Sequence, residues 1–113
     1  MKQYTIPEQT AKLIELGFKK PPKKGLLFQS NIGNCLTDLM LAEENYCIGE
    51  LMQMLLHKPH CKVSIYNVGL GQHKVLFKKL INRKFKVLFR EVGYEPIDLL
   101  FNCIVKLKDD NAI

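Results

Sequence analysis

No run of apolar residues in this sequence comes near the roughly 20 needed to span a bilayer, so no membrane partner is expected. The opening Met1-Lys2-Gln3-Tyr4-Thr5 has no apolar stretch behind its lysine, which argues against a secretory signal. Cysteine is scattered: Cys35, Cys47, Cys61 and Cys103 include no Cys-x-x-Cys pair, which removes the common zinc and dithiol patterns. There is no Gly-x-Ser-x-Gly elbow to expose a serine nucleophile. The adjacent Glu43-Glu44 reads as a solvated turn and not as an acid/base dyad, so glycosidase-type chemistry has no anchor. With nothing pointing to export, the cysteines are expected to be free thiols in a reducing cytoplasm, most of them buried.

The most informative absence is of negative charge. Residues 51–90 hold nine Lys or Arg, all three His, and no Asp or Glu. Residues 1–50 balance six basic against six acidic side chains, and residues 91–113 set five acids against Lys106 and Lys108. Solvated surfaces ordinarily mix the signs. A forty-residue stretch without a carboxylate creates a positive field that attracts phosphate, an acidic partner, or the chain's own acidic end.

What is present is ordinary globular material. At 113 residues with 47% hydrophobic and 25% charged residues, the chain has the size and composition of a single domain, residues 1–113, able to bury about two thirds of its unfolded surface. Thr5-Ile6-Pro7-Glu8 reads as a capping box, with Thr5 the N-cap of a helix over 6–16 and Gly17 its stop. Lys19-Lys20-Pro21-Pro22-Lys23-Lys24-Gly25 is an extended, solvated connector, because two prolines remove donors and restrict their neighbours. Leu26, Leu27 and Phe28 suggest a short buried strand, and residues 35–44 are ambiguous. Ile48, Leu51, Met52 and Leu55 fall on one helical stripe, with Cys47 a weak cap and Pro59 the stop.

Beyond that point the period changes. Val63, Ile65 and Asn67 alternate with Lys62, Ser64 and Tyr66, a strand that runs up to the turn Gly69-Leu70-Gly71. Residues 74–90 fit either a helix or two strands turning at Asn82-Arg83, and their β-branched and aromatic content favours the strands. In that reading Phe85, Val87 and Phe89 face one way, with Lys84, Lys86 and Arg90 opposite. Pro96 opens a last helix whose Ile97, Leu100, Phe101, Ile104 and Leu107 form one apolar face. The expected fold is α+β, a small antiparallel sheet of about three strands with helices packed on one face.

Candidate chemistry is thin. Cys47, His57, His60 and Cys61 are the sole Cys/His cluster, and their spacing matches no zinc pattern. Cys61 beside His60 would point to the opposite strand face, so the two do not make a nucleophile–base pair. Gly69-x-Gly71 lacks the third glycine of a dinucleotide fingerprint, Lys74 standing in its place, and reads as a hairpin turn. No cofactor is called for. The candidate site is a surface: Lys78, Lys79, Arg83, Lys84, Lys86 and Arg90, which with Lys74 interleave with Phe77, Phe85 and Phe89. Such residues suit a phosphate backbone or an acidic partner, while the bland alternative makes the phenylalanines core and the basic residues a solvated face.

Three stretches carry a resemblance. Thr5-x-x-Glu8-Gln9 through Leu16-Gly17-Phe18, Tyr46-x-Ile48-Gly49-Glu50-Leu51-x-x-Met54-Leu55, and Ile97-Asp98-Leu99-Leu100-Phe101 through Leu107-Lys108 together resemble small uncharacterised proteins of gut Bacteroidetes, common on phages and other mobile elements. The resemblance covers about half the chain and implies a bacterial, cytoplasmic origin; its motifs are caps and core positions, and it transfers no site residue. The expectation is therefore a non-enzymatic accessory or protein-interaction domain, with nucleic-acid binding through the basic 74–90 segment as the alternative. A homodimer through a strand edge or the last helix is compatible with either.

Overall fold

The computed structural model describes residues 3–19 and 45–113. The connector beyond Lys19, the strand expected at 26–28, the ambiguous 35–44 segment, Glu43-Glu44 and Cys35 lie outside these described residues. Three helices and three strands follow in the order α1 (Pro7–Glu15), α2 (Ile48–Leu55), β1 (Cys61–Gly69), β2 (Gln72–Ile81), β3 (Lys84–Gly93) and α3 (Pro96–Asp109). The strands form an antiparallel meander, β1-β2-β3, with β2 in the centre. The expected α+β architecture is what the chain adopts.

Both hairpins close with two residues whose backbone is left-handed, Leu70 (φ 53°) with Gly71 (φ 76°), and Asn82 (φ 52°) with Arg83 (φ 67°). That handedness matches the twist of the flanking strands. It also resolves residues 74–90 into two strands. A helix there would put Lys84, seven residues after Phe77, on the same apolar stripe, whereas alternate strand positions send Phe77 inward and Lys78 outward.

The cap of α1 is not the one read from sequence. The N-cap is Ile6, and its amide is held by Gln9, whose Oε1 accepts from Ile6 N at 3.0 Å. Thr5 is drawn away because it is fully buried. Its N–H donates to Tyr46 O at 2.9 Å, its Oγ1 accepts from Tyr46 N at 3.0 Å, and it lies 2.7 Å from Thr10 Oγ1. Thr10 in turn donates to Asn45 Oδ1. A buried hydroxyl must find partners, and those that stitch the two chain segments together outcompete a local cap. Gly17 (φ 101°) ends the helix as expected, with Phe18 N donating to Leu13 O at 3.1 Å in a Schellman closure.

The core lies on one side of the sheet. Val75 and Phe77 of β2 and Phe89 of β3 meet Leu13, Tyr46, Leu51, Leu55, and the α3 residues Ile97, Leu99, Leu100, Cys103, Ile104 and Leu107. Phe101, expected on the α3 stripe, is half-buried, and Leu99 and Cys103 take core positions instead. Gln9 Nε2 donates to Asp98 Oδ1 at 2.8 Å and ties α1 to α3. The described cysteines are free, Cys103 buried and Cys47 and Cys61 half-buried, so deep burial holds for Cys103 but not for Cys47. Among the described residues no helix is long and apolar enough to cross a membrane.

Candidate binding surface on the open sheet face

Partners directly opposite in an antiparallel pair share a face, so the register sorts every strand residue. Val63, Ile65, Val75, Phe77, Phe89 and Glu91 face the helices. The other face is built in rows across the strands: Tyr66, Lys74 and Val92; then Ser64, Leu76 and Arg90; then Lys62, Lys78 and Val87; then Leu80 and Phe85. Successive rows are two residues apart, about 7 Å.

One irregularity sets this arrangement. Phe77 pairs with Phe89, but the next residue, Lys78, pairs with Val87, so Leu88 is an extra residue in β3. A bulge of this kind shifts the alternation by one. It corrects the expectation that Phe85, Val87 and Phe89 share a face: Phe85 and Val87 lie on the open face with Arg90, and Phe89 lies in the core, with Leu88 packed against it. Of the three phenylalanines read as possible stacking groups, Phe77 and Phe89 are core. Phe85, 43% exposed, is on the surface.

The six basic residues singled out from sequence are divided in the same way. Lys78 and Arg90 lie on the open face, whereas Lys79, Lys84 and Lys86 share the opposite side through the pairs Lys79–Lys86 and Ile81–Lys84. Arg83 sits in the β2–β3 turn. Lys79 has a structural task, its Nζ donating to Ala112 O at 3.3 Å just past the end of α3, where the last carbonyls favour a cation. What the sequence reading left out is Lys62 and Tyr66, which the pairing brings, together with Lys74, beside Lys78 and Arg90. The signal was there in the alternation of Lys62, Ser64 and Tyr66 with Val63 and Ile65.

The resulting face is apolar and basic at once. Tyr66, Phe85, Val87 and Val92 are each exposed by between 43% and 49%, and Leu76 and Leu80 are half-buried between them. Four cations stand among these side chains in three consecutive rows. The Lys62 ammonium lies 4.3 Å from the centroid of the Phe85 ring, a distance at which the ring's negative face attracts it. No strand places a carboxylate here. Glu91, the sole acid of the three strands, is on the helix side and accepts from Asn102 Nδ2 at 3.1 Å.

Other candidate chemistry is weaker. Among the described residues no three His, Cys, Asp or Glu side chains are placed to hold a metal. The Cys103 thiol is pushed up to about 12, mainly by burial and further by the Glu91 charge, which makes it a poor nucleophile. The Tyr46 hydroxyl is raised too, by burial and then by Glu50. A shallow depression of about 450 Å³ lies between Lys12 of α1 and Phe101, Val105 and Lys106 of α3. It has the volume of a ligand site, but its polar groups include the ion pair Lys106–Asp110 at 3.8 Å, already matched to each other.

No protein-family model, no curated protein and no solved structure matches the chain.

Proposed function

We propose that this chain is a non-enzymatic accessory domain that works by binding, and that the open face of its sheet is the surface it binds with. The observation that carries this reading is the carboxylate-free array of Lys62, Lys74, Lys78 and Arg90 among half-exposed apolar side chains. Apolar surface left open on this scale favours being covered, and the unrelieved positive charge selects a negatively charged occupant. The resemblance of its helical segments to small proteins of bacterial mobile elements fits an accessory of that kind.

A second copy of the chain is a poor occupant. Stacking two such faces would set four cations against four with no acid on either side, and like charges brought together across an interface cost several kcal/mol. The partner is therefore a different molecule.

A comparison at matched charge tests the reading. Lys74→Gln/Lys78→Gln/Arg90→Gln and Arg83→Gln/Lys84→Gln/Lys86→Gln each remove three positive charges, the first set from the open face and the second from the turn and the opposite side. On an immobilised polyanion, the open-face variant is expected to elute at clearly lower salt than the other. Equal elution would mean that only net charge matters, and the reading would fall.

A further inference from the structure

We infer that the occupant of the open face is single-stranded nucleic acid, its bases lying on the apolar side chains and its phosphates held by the interleaved cations. This rests on the reading of that face as the binding surface and goes further by naming the partner.

The placement of the charges distinguishes a nucleic acid from an acidic protein. Protein interfaces exclude charge from their centres and keep it at the rim. Here Lys74 and Lys78 stand on the central strand, and Lys78 is flanked by Leu76, Leu80 and Val87. A protein covering this face would bring acidic residues into the middle of an apolar contact. A single strand alternates flat, uncharged bases with phosphates all along its length. That alternation fits cations recurring in three successive rows, at intervals of about 7 Å, with apolar side chains between them.

The rings sit at opposite corners. Tyr66 is in the first row on β1 and Phe85 in the fourth row on β3. A diagonal path from one to the other crosses Lys74, Leu76, Lys78 and Val87, and three row steps combined with two strand widths make it about 22 Å long. Every base has a face to stack, so such a path is tolerant of sequence. A duplex does not suit the surface, because its base faces are already stacked inside and half-exposed Val87, Val92 and Phe85 would meet only phosphate and sugar. Phe85 also holds Lys62 over its ring at 4.3 Å. A base stacking on that face displaces the ammonium, which is then free to take a phosphate.

The chain contains no tryptophan, which allows a clean test. Phe85→Trp introduces a single fluorophore at the proposed stacking position, and fluorescence anisotropy with labelled oligonucleotides measures affinity alongside it. Short single-stranded DNA and RNA of mixed sequence are expected to bind and to quench the emission of the introduced indole saturably, while a hairpin duplex binds more weakly and leaves it unquenched. The salt dependence is expected to have a log–log slope of about −3 for four phosphates. Tyr66→Ala is expected to weaken binding about tenfold, in line with the loss of one stacked base. Binding without quenching, or a duplex bound as tightly as a single strand, overturns the inference. An acidic peptide rich in Glu, Leu and Phe serves as the control ligand. If it alone binds, and Lys74→Gln/Lys78→Gln/Arg90→Gln abolishes that binding, the inference fails and the reading of the face stands. If neither ligand binds at low salt, both fail.

Discussion

The two faces of this sheet are made from the same three strands and have opposite fates. One face, carrying Val63, Ile65, Val75, Phe77 and Phe89, is covered by helices; the other, carrying Tyr66, Leu76, Leu80, Phe85 and Val87, is left open with cations between its apolar side chains. An antiparallel sheet ordinarily presents a polar face to water. Here the open face is apolar enough to resemble a core and charged enough to be unable to act as one. The difference shows that apolar residues on a strand do not by themselves announce a core. What separates the faces is whether cations stand in the rows among them.

The largest effect that would sharpen the contrast is on stability. Phe77→Ala removes a ring with no exposure and is expected to cost about 3–5 kcal/mol, measured by urea unfolding. Phe85→Ala, on the open face, is expected to cost less than about 1 kcal/mol. Comparable losses would mean that the open face is packed in solution and would break the comparison.

The covered face also carries a pH dependence. The folded Cys103 thiol titrates near 12, against an ordinary 9.0. A group whose folded value is raised contributes stability that is whole below its unfolded value and lost as the pH rises through the folded one. Unfolding free energy is therefore expected to fall between pH 9 and 12. The fall should be shallower in Cys103→Ala, with an unchanged slope in that variant contradicting the assignment.

Leu70 offers a smaller effect of opposite sign. It is 96% exposed and left-handed at the tip of the β1–β2 hairpin (φ 53°), a conformation that strains a bulky side chain. Leu70→Asn restores the preferred Asn-Gly turn and is expected to stabilise the fold by about 1 kcal/mol. Failure of the melting temperature to rise would show that the tip is not strained.

The finest test uses two neighbours on opposite faces. Lys79→Met removes the contact to Ala112 O and is expected to cost about 0.5–1 kcal/mol of stability with little change in oligonucleotide affinity. Lys78→Met is expected to do the reverse, weakening binding while leaving the melting temperature unchanged. Were the two variants to behave alike, the division between the faces would not hold.

Much of this fold was legible from residue spacing. The stripe Ile48, Leu51, Met52, Leu55 and the run from Ile97 to Leu107 marked α2 and α3, because a helical face repeats locally. The alternation in Val63 and Ile65 marked β1 for the same reason. What was not legible depends on partners distant in sequence. The bulge at Leu88 arises in the pairing of β3 with β2, and nothing in Lys86-Val87-Leu88-Phe89 announces it. Thr5 looked like a cap because its competition from Tyr46, Thr10 and Asn45 comes from the packed structure. The basic character of the binding surface was visible in the missing carboxylates, but its membership was not. A single phase shift moved Phe85 and Val87 beside Arg90 and left Lys84 and Lys86 on the other side.

The most direct measurement of the central claim is an NMR titration of the labelled protein with a short single-stranded oligonucleotide. Shift changes are expected to concentrate at Lys62, Tyr66, Lys74, Leu76, Lys78, Phe85 and Arg90, with α3, Lys84 and Lys86 unmoved. Changes centred on Arg83, Lys84 and Lys86, or on the depression between α1 and α3, would contradict it.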